Sequence, residues 1–196
     1  MAVLLWLLTP LHVVNDLILR VTRRVAGAAL VVMVFVILVQ VFFRYVLGNA
    51  LSWPDEAARF MMLWMTGLAA PVAYRRGGFV AIDMLEEALP RRVADVLNLA
   101  LLVMGVAVLV FALRLGIDHV ESGWLFNSSS LKLPVQLIGF DKAIRLKLGW
   151  MYMSLYAGVI LLLIVNIELL LRQIITILGA RDRLPRLKAL DLPEAE

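Results

Sequence analysis

The two histidines, His12 and His119, are the first candidates for chemistry in this chain. Facing imidazoles in a helical membrane bundle can ligate haem. One of these, however, lies in the N-terminal segment and the other beyond the third apolar run, on the opposite side of the bilayer, so they form no axial pair. His119 with Asp118 and Glu121 lacks the fixed ligand spacing of a metal site and reads as a wetted interfacial residue. Nucleophilic and acid–base arrangements are missing too. The sequence has no Ser in a Gly-flanked elbow, no His-Glu-x-x-His and no Gly-rich phosphate loop, and Ser128 to Ser130 stand without a base. There is no cysteine, which removes disulfides, thiolate nucleophiles and thiolate metal sites. No catalytic residue, substrate-binding residue, metal ligand or cofactor is assigned, and the chain reads as a non-enzyme.

What remains is a set of polar and charged groups beside long apolar runs, where an ionisable side chain is costly and usually has a reason. Glu168 follows the fourth apolar run and shares a helix face with Arg172, four residues on. The pair reads as an ion pair snorkelling at the cytoplasmic surface. Gln40 is the one strongly polar group late in the first run and implies an interhelical hydrogen bond. The junction QVFFRYVLGNALSWPDEAARF, from Gln40 to Phe60, is the densest cluster. Arg44 and Tyr45 suit the head-group layer, and Gly48 and Asn49 make a turn. Ser52 and Asp55 have capping-box spacing, and Asp55 and Glu56 complement the positive end of a helix. Arg59, four residues after Asp55 and three after Glu56, is placed to neutralise either. A tight hairpin accounts for this pattern, and so does a contact with another protein.

The elements that carry these groups follow from composition. Of 196 residues, 63% are hydrophobic and 17% charged, and mean hydropathy is +0.92. A soluble domain of this size cannot hide so much apolar surface, so the solvent is lipid. The net charge of +4 is carried by residues that flank apolar runs, which points to anionic lipid head groups and not to nucleic acid. Four runs can cross a bilayer as helices, giving spans at about 25–47, 53–74, 93–114 and 148–171. Twelve of the Lys and Arg residues fall on the side of the termini and the second loop and seven on the other, which puts both termini in the cytoplasm. Residues 1–24 read as an amphipathic segment on the cytoplasmic leaflet, 79–89 as a second interfacial helix, 115–147 as a periplasmic loop and 172–196 as a cytoplasmic tail. The expected fold is an all-α integral membrane protein, with four transmembrane helices plus amphipathic interfacial helices.

The run Gln40 to Tyr45, followed by Trp53, Asp55, Glu56, Arg59, Trp64, Gly67, Tyr74, Arg75, Arg76, Gly77, Val80, Asp83, Leu89 and Pro90, resembles the small membrane subunit of tripartite ATP-independent periplasmic (TRAP) transporters, the Q-type component. The resemblance covers about residues 20–171. It implies a bacterial inner-membrane, multi-pass protein that packs against the stationary scaffold of a large, roughly twelve-span permease subunit. That partner is a sodium-coupled elevator, and it takes up an organic acid delivered by a periplasmic solute-binding protein. On this resemblance Gln40, Arg44, Tyr45, Trp53, Asp55, Glu56, Arg59, Trp64, Gly67, Arg75 and Arg76 are the candidate subunit-interface or membrane-anchoring residues. The chain departs from the family at Phe79, where a His is common, and at Gly149 and Tyr156, where prolines are typical. Its outer loop, with Trp124, Phe126, Lys132 and Lys142, is longer than usual and is the expected contact with the binding protein. The alternatives are a stand-alone small exporter or channel, or a membrane anchor for another multi-subunit complex. A channel would need a polar pathway, for which Gln40, Asn98, Asn166 and Glu168 are few and dispersed.

Overall fold

The computed structural model describes residues 2–76, 89–133, 144–180 and 185, with α1 side chains described from Trp6 onward. Helix α1, Ala2–Tyr45, is unbroken over 44 residues, about 66 Å at 1.5 Å per residue. It passes through positions 24 and 25 without interruption, so the N-terminal segment and the first apolar run are one element. Pro10 sits inside it near the start. Helix α2 is Trp53–Arg75, α3 is Arg91–Gly123 and α4 is Gly149–Ile177.

Two short strands stand where the sequence suggests only a loop. Strands β1, Asn127–Leu133, and β2, Ile144–Lys147, pair antiparallel, with Leu133 opposite Ile144 and Asn127 opposite Lys147. Leu131-Lys132-Leu133 and Ile144-Arg145-Leu146-Lys147 alternate apolar and basic residues, the period-two pattern of a strand. The all-α expectation is corrected by this hairpin, and the third helix runs to Gly123, past the expected end of its span at 114. The expected interfacial helix at 79–89 lies, but for its last residue, outside the described residues. The expected tail begins inside α4, which reaches Ile177.

Among the described residues three helices are long and apolar enough to cross a membrane: Trp6–Tyr45, Arg92–Gly123 and Gly149–Ile177. Helix α2 has the length, at 23 residues, but Arg59, Thr66, Gly67 and Pro71 dilute its apolar character. Helix α4 is the hub and touches each of the other three. Gly123 of α3 lies against Gly149 and Tyr152, and Gly105 against Asn166, so α3 and α4 run antiparallel. Helices α2 and α4 run parallel, from Trp64 beside Trp150 to Arg75 beside Glu168.

Burial is inverted relative to a water-soluble protein. The buried apolar cluster is small, Leu19, Val72 and Val165 with Tyr74 and Leu169 against it. Asn166 and Glu168 are 0% exposed while Phe35 and Phe111 are 66% and 64% exposed. Apolar side chains on the outside and satisfied polar groups within are what a hydrocarbon solvent selects, because burying apolar surface there gains little while an unpaired polar group is costly.

Candidate functional site

The close approach of α2 to α4 sets the geometry of the interior. A Cβ on Gly67 would lie 2.5 Å from the Ser154 carbonyl oxygen, and one on Gly158 would lie 2.7 Å from that of Gly67. Only glycine at both positions lets the two backbones meet, which is how small residues drive helix association in lipid. Further along the same pair, the Tyr74 hydroxyl donates to Asn166 Oδ1 at 2.6 Å, and Asn166 Nδ2 donates to the Leu102 carbonyl at 3.1 Å. One amide thereby joins α2, α3 and α4. Gln173 Nε2 adds a bond from α4 to the Asp95 carbonyl of α3, at 3.1 Å.

Two residues beyond Asn166, Glu168 centres an ionic cluster built from three helices. Glu168 Oε2 accepts from Arg75 Nε at 2.9 Å and Asn15 Nδ2 at 2.6 Å. Its Oε1 accepts from Arg75 Nη2 at 2.9 Å and from Arg172 Nε and Nη2 at 3.1 and 3.0 Å. The two guanidinium groups also converge on His12 Nδ1, at 2.7 Å from Arg75 Nη2 and 2.9 Å from Arg172 Nη2. His12 Nδ1 lies 3.1 Å from Glu168 Oε1 as well, so this one ring nitrogen faces two guanidinium donors and a carboxylate acceptor. Asp16 completes the balance of charge, accepting from Arg75 Nη1 at 3.3 Å and Arg20 Nη2 at 2.8 Å. Arg172 Nη1 reaches the Pro185 carbonyl at 2.8 Å.

The reading of Glu168 and Arg172 as a snorkelling surface pair is thus corrected: Glu168 is fully buried, and the N-terminal part of α1 and the end of α2 close over it. Arg75 is the one candidate interface residue at the centre of this cluster, and its guanidinium is spent inside the chain. The sequence did carry a signal for its partners. His12, Asn15 and Asp16 recur at i, i+3 and i+4 in an apolar segment, which puts them on one face of α1 together with the buried Leu8, Leu19 and Thr22.

The other candidate residues gather at the opposite end. Gln40 Nε2 donates to Asp55 Oδ1 at 2.8 Å, tying α1 to α2. Ser52 makes no side-chain cap bond, and its own backbone is already helical at φ −87° and ψ −23°. Glu56 is taken by the hairpin: its Oε2 accepts from the Ser130 amide at 2.8 Å, from the Ser130 hydroxyl, and from the Ser129 hydroxyl at 3.3 Å. Among the described residues neither carboxylate forms an ion pair with Arg59, which is exposed; Asp55 Oδ1 and Glu56 Oε2 accept from neutral donors instead. The Arg44 guanidinium lies 5.8 Å from the Tyr45 ring centre. Trp64 Nε1 donates to the Trp150 carbonyl at 3.2 Å, while Trp53 is 39% exposed. One guanidinium nitrogen of Arg76 is buried with no hydrogen-bond partner among the described residues. Trp124 meets Trp150 edge to face at 5.7 Å, with Lys147 5.9 Å from the Trp124 ring.

His119 stacks on Tyr152 at 4.2 Å, far from His12. Long apolar helices around a satisfied polar interior define a multi-pass helical membrane protein. Residues 33–176 match the family model of the tripartite ATP-independent periplasmic transporters, DctQ component, and the chain belongs to that family. It is also 29% identical over 75 residues to the isethionate TRAP transporter permease protein DctMQ of Oleidesulfovibrio alaskensis, an alignment that takes in 35% of this chain and 12% of that protein.

Proposed function

We propose that the chain is the small permease subunit of a TRAP-type secondary transporter, a non-catalytic part that packs against the large permease subunit and anchors its scaffold in the inner membrane. The observation that carries this reading is the use of the interior polar groups. Glu168, Asn166, Arg75 and, through His12, Arg172 are all engaged in bonds between helices of this chain, which makes a stiff bundle suited to a stationary support. In this reading α2 is a fourth span and both termini are cytoplasmic. Sodium coupling and organic-acid recognition belong to the large subunit, and capture belongs to a periplasmic binding protein that docks near the outer hairpin. The test is co-expression with the large permease subunit and the binding protein. The expected result is a stable complex of the two membrane chains, sodium-driven uptake of an organic anion by the complete system, and none by this chain alone in liposomes. Failure of the two chains to co-purify, or uptake by this chain alone, overturns it.

A further inference from the structure

The exposed faces of this bundle are not alike. Between Val25 and Phe43 in α1, and between Val96 and Leu113 in α3, there is no charged residue. The side chains turned outward there are Val, Leu, Ile, Met, Phe and Ala, among them Val31 at 69% and Phe111 at 64% exposure. Such faces suit acyl chains. Helix α2 differs. Its exposed positions Asp55, Arg59, Met62, Leu63 and Thr66 follow helical spacing and form one stripe.

Arg59 is the anomaly in that stripe. Its position is fixed by the Gln40–Asp55 bond, because Gln40 lies within the first apolar run and Arg59 is one turn further in than Asp55. Asp55 Oδ1 accepts from Gln40 and Glu56 Oε2 from Ser129 and Ser130, and among the described residues no side chain makes a hydrogen bond or ion pair with Arg59. An exposed cation flanked by Met62 and Leu63, at 57% and 42% exposure, is costly against lipid tails. The cost is offset where a neighbouring helix brings an anion, since charged side chains within membranes pair with one another and face protein.

We infer that this face of α2 is the seat of a second membrane protein, and that a helix of the partner sets a carboxylate opposite Arg59. Resting on the proposed function, that partner is the large permease subunit. Met62 and Leu63 supply the apolar contact around the ion pair, and the small side chain of Thr66, its hydroxyl bonded to its own helix at the Met62 carbonyl at 2.9 Å, lets the partner backbone approach. The faces of α1 and α3 then remain with lipid.

The test uses the complex of both membrane chains. A photoreactive benzoylphenylalanine is placed at position 62 or, as the lipid-facing control, at position 111, and Arg59→Lys and Arg59→Met are compared with wild type. The expected results are an adduct with the large subunit from position 62 and only lipid adducts from position 111. Arg59→Met should lower recovery of the complex at least tenfold, while Arg59→Lys keeps most of it. Arg59 bonds to no side chain among the described residues, so both variants should retain the far-UV circular dichroism of wild type. A lipid-only adduct from position 62 with the complex intact overturns this surface and leaves the subunit reading standing, as does equal cross-linking from position 111. Undiminished recovery of Arg59→Met overturns the carboxylate pairing and makes the arginine a snorkelling one. Absence of any wild-type complex overturns the subunit reading itself.

Discussion

Replacing Glu168 by Gln is the sharpest probe of the interior, because it keeps volume and shape and removes only the charge and one acceptor. Oε2 takes donors from Arg75 and Asn15, and Oε1 takes three guanidinium nitrogens with His12 Nδ1 also 3.1 Å away, so either orientation of the new amide sets its NH2 against arginine donors that need an acceptor. The Arg75 and Arg172 side chains, 7% and 10% exposed, are then left as buried cations with no carboxylate between them. Removing one partner from a buried ion pair costs about 3–5 kcal/mol. At about 1.4 kcal/mol per factor of ten, that lowers the folded-to-unfolded ratio by a hundred- to a few-thousand-fold. Unfolding by sodium dodecyl sulfate in mixed micelles, followed by circular dichroism, measures the loss. Hydrogen exchange should show protection vanishing first around His12 to Asp16, the part of α1 that the cluster holds. Replacing the triad together, Arg75→Met, Glu168→Leu and Arg172→Met, should return most of the stability, because no charge then remains to be buried. A Glu168→Gln protein within about 0.5 kcal/mol of wild type, the scatter of ordinary surface substitutions, would refute the reasoning and mean that water replaces the carboxylate's contacts.

Two further outcomes follow from the helix crossing and the hairpin. Gly158→Ala puts a methyl group 2.7 Å from a backbone oxygen that cannot move aside and should cost about 1–3 kcal/mol in the same micelle assay, whereas Gly27→Ala, with nothing within 4 Å, should be neutral or stabilising. Glu56→Ala removes the acceptor for the Ser130 amide, so exchange of that amide should rise at least tenfold while the unfolding midpoint of the helices moves little.

The sequence was most legible where a residue's reason lay within its own helix or hairpin. Gln40, isolated in an apolar run, implied a bond between helices, and it bonds to Asp55 across the turn. The i, i+4 relation of Glu168 and Arg172 was equally readable, yet it gave the wrong burial. What hides Glu168 are Arg75, 93 residues away, and His12, 156 residues away, and helical spacing says nothing about which distant helix will lie alongside. The Asp55, Glu56 and Arg59 group failed for a related reason. A local network was expected from spacing, but Glu56 is drawn off by serines 73 and 74 residues further along the chain. The hairpin that carries those serines has the alternation of a strand over so few residues that a loop described it as well.

Asn15 and Gln40, the points at which α1 is gripped near either end, are 25 residues apart, which is about seven whole turns of an α-helix. The two grips therefore lie on nearly the same side of a rod that has no joint between them. Inserting or deleting one residue anywhere in that interval would rotate one grip about 100° away from its partner. In this rod length and azimuth are one constraint, so drift in the intervening sequence is free to change side chains but not to change their number.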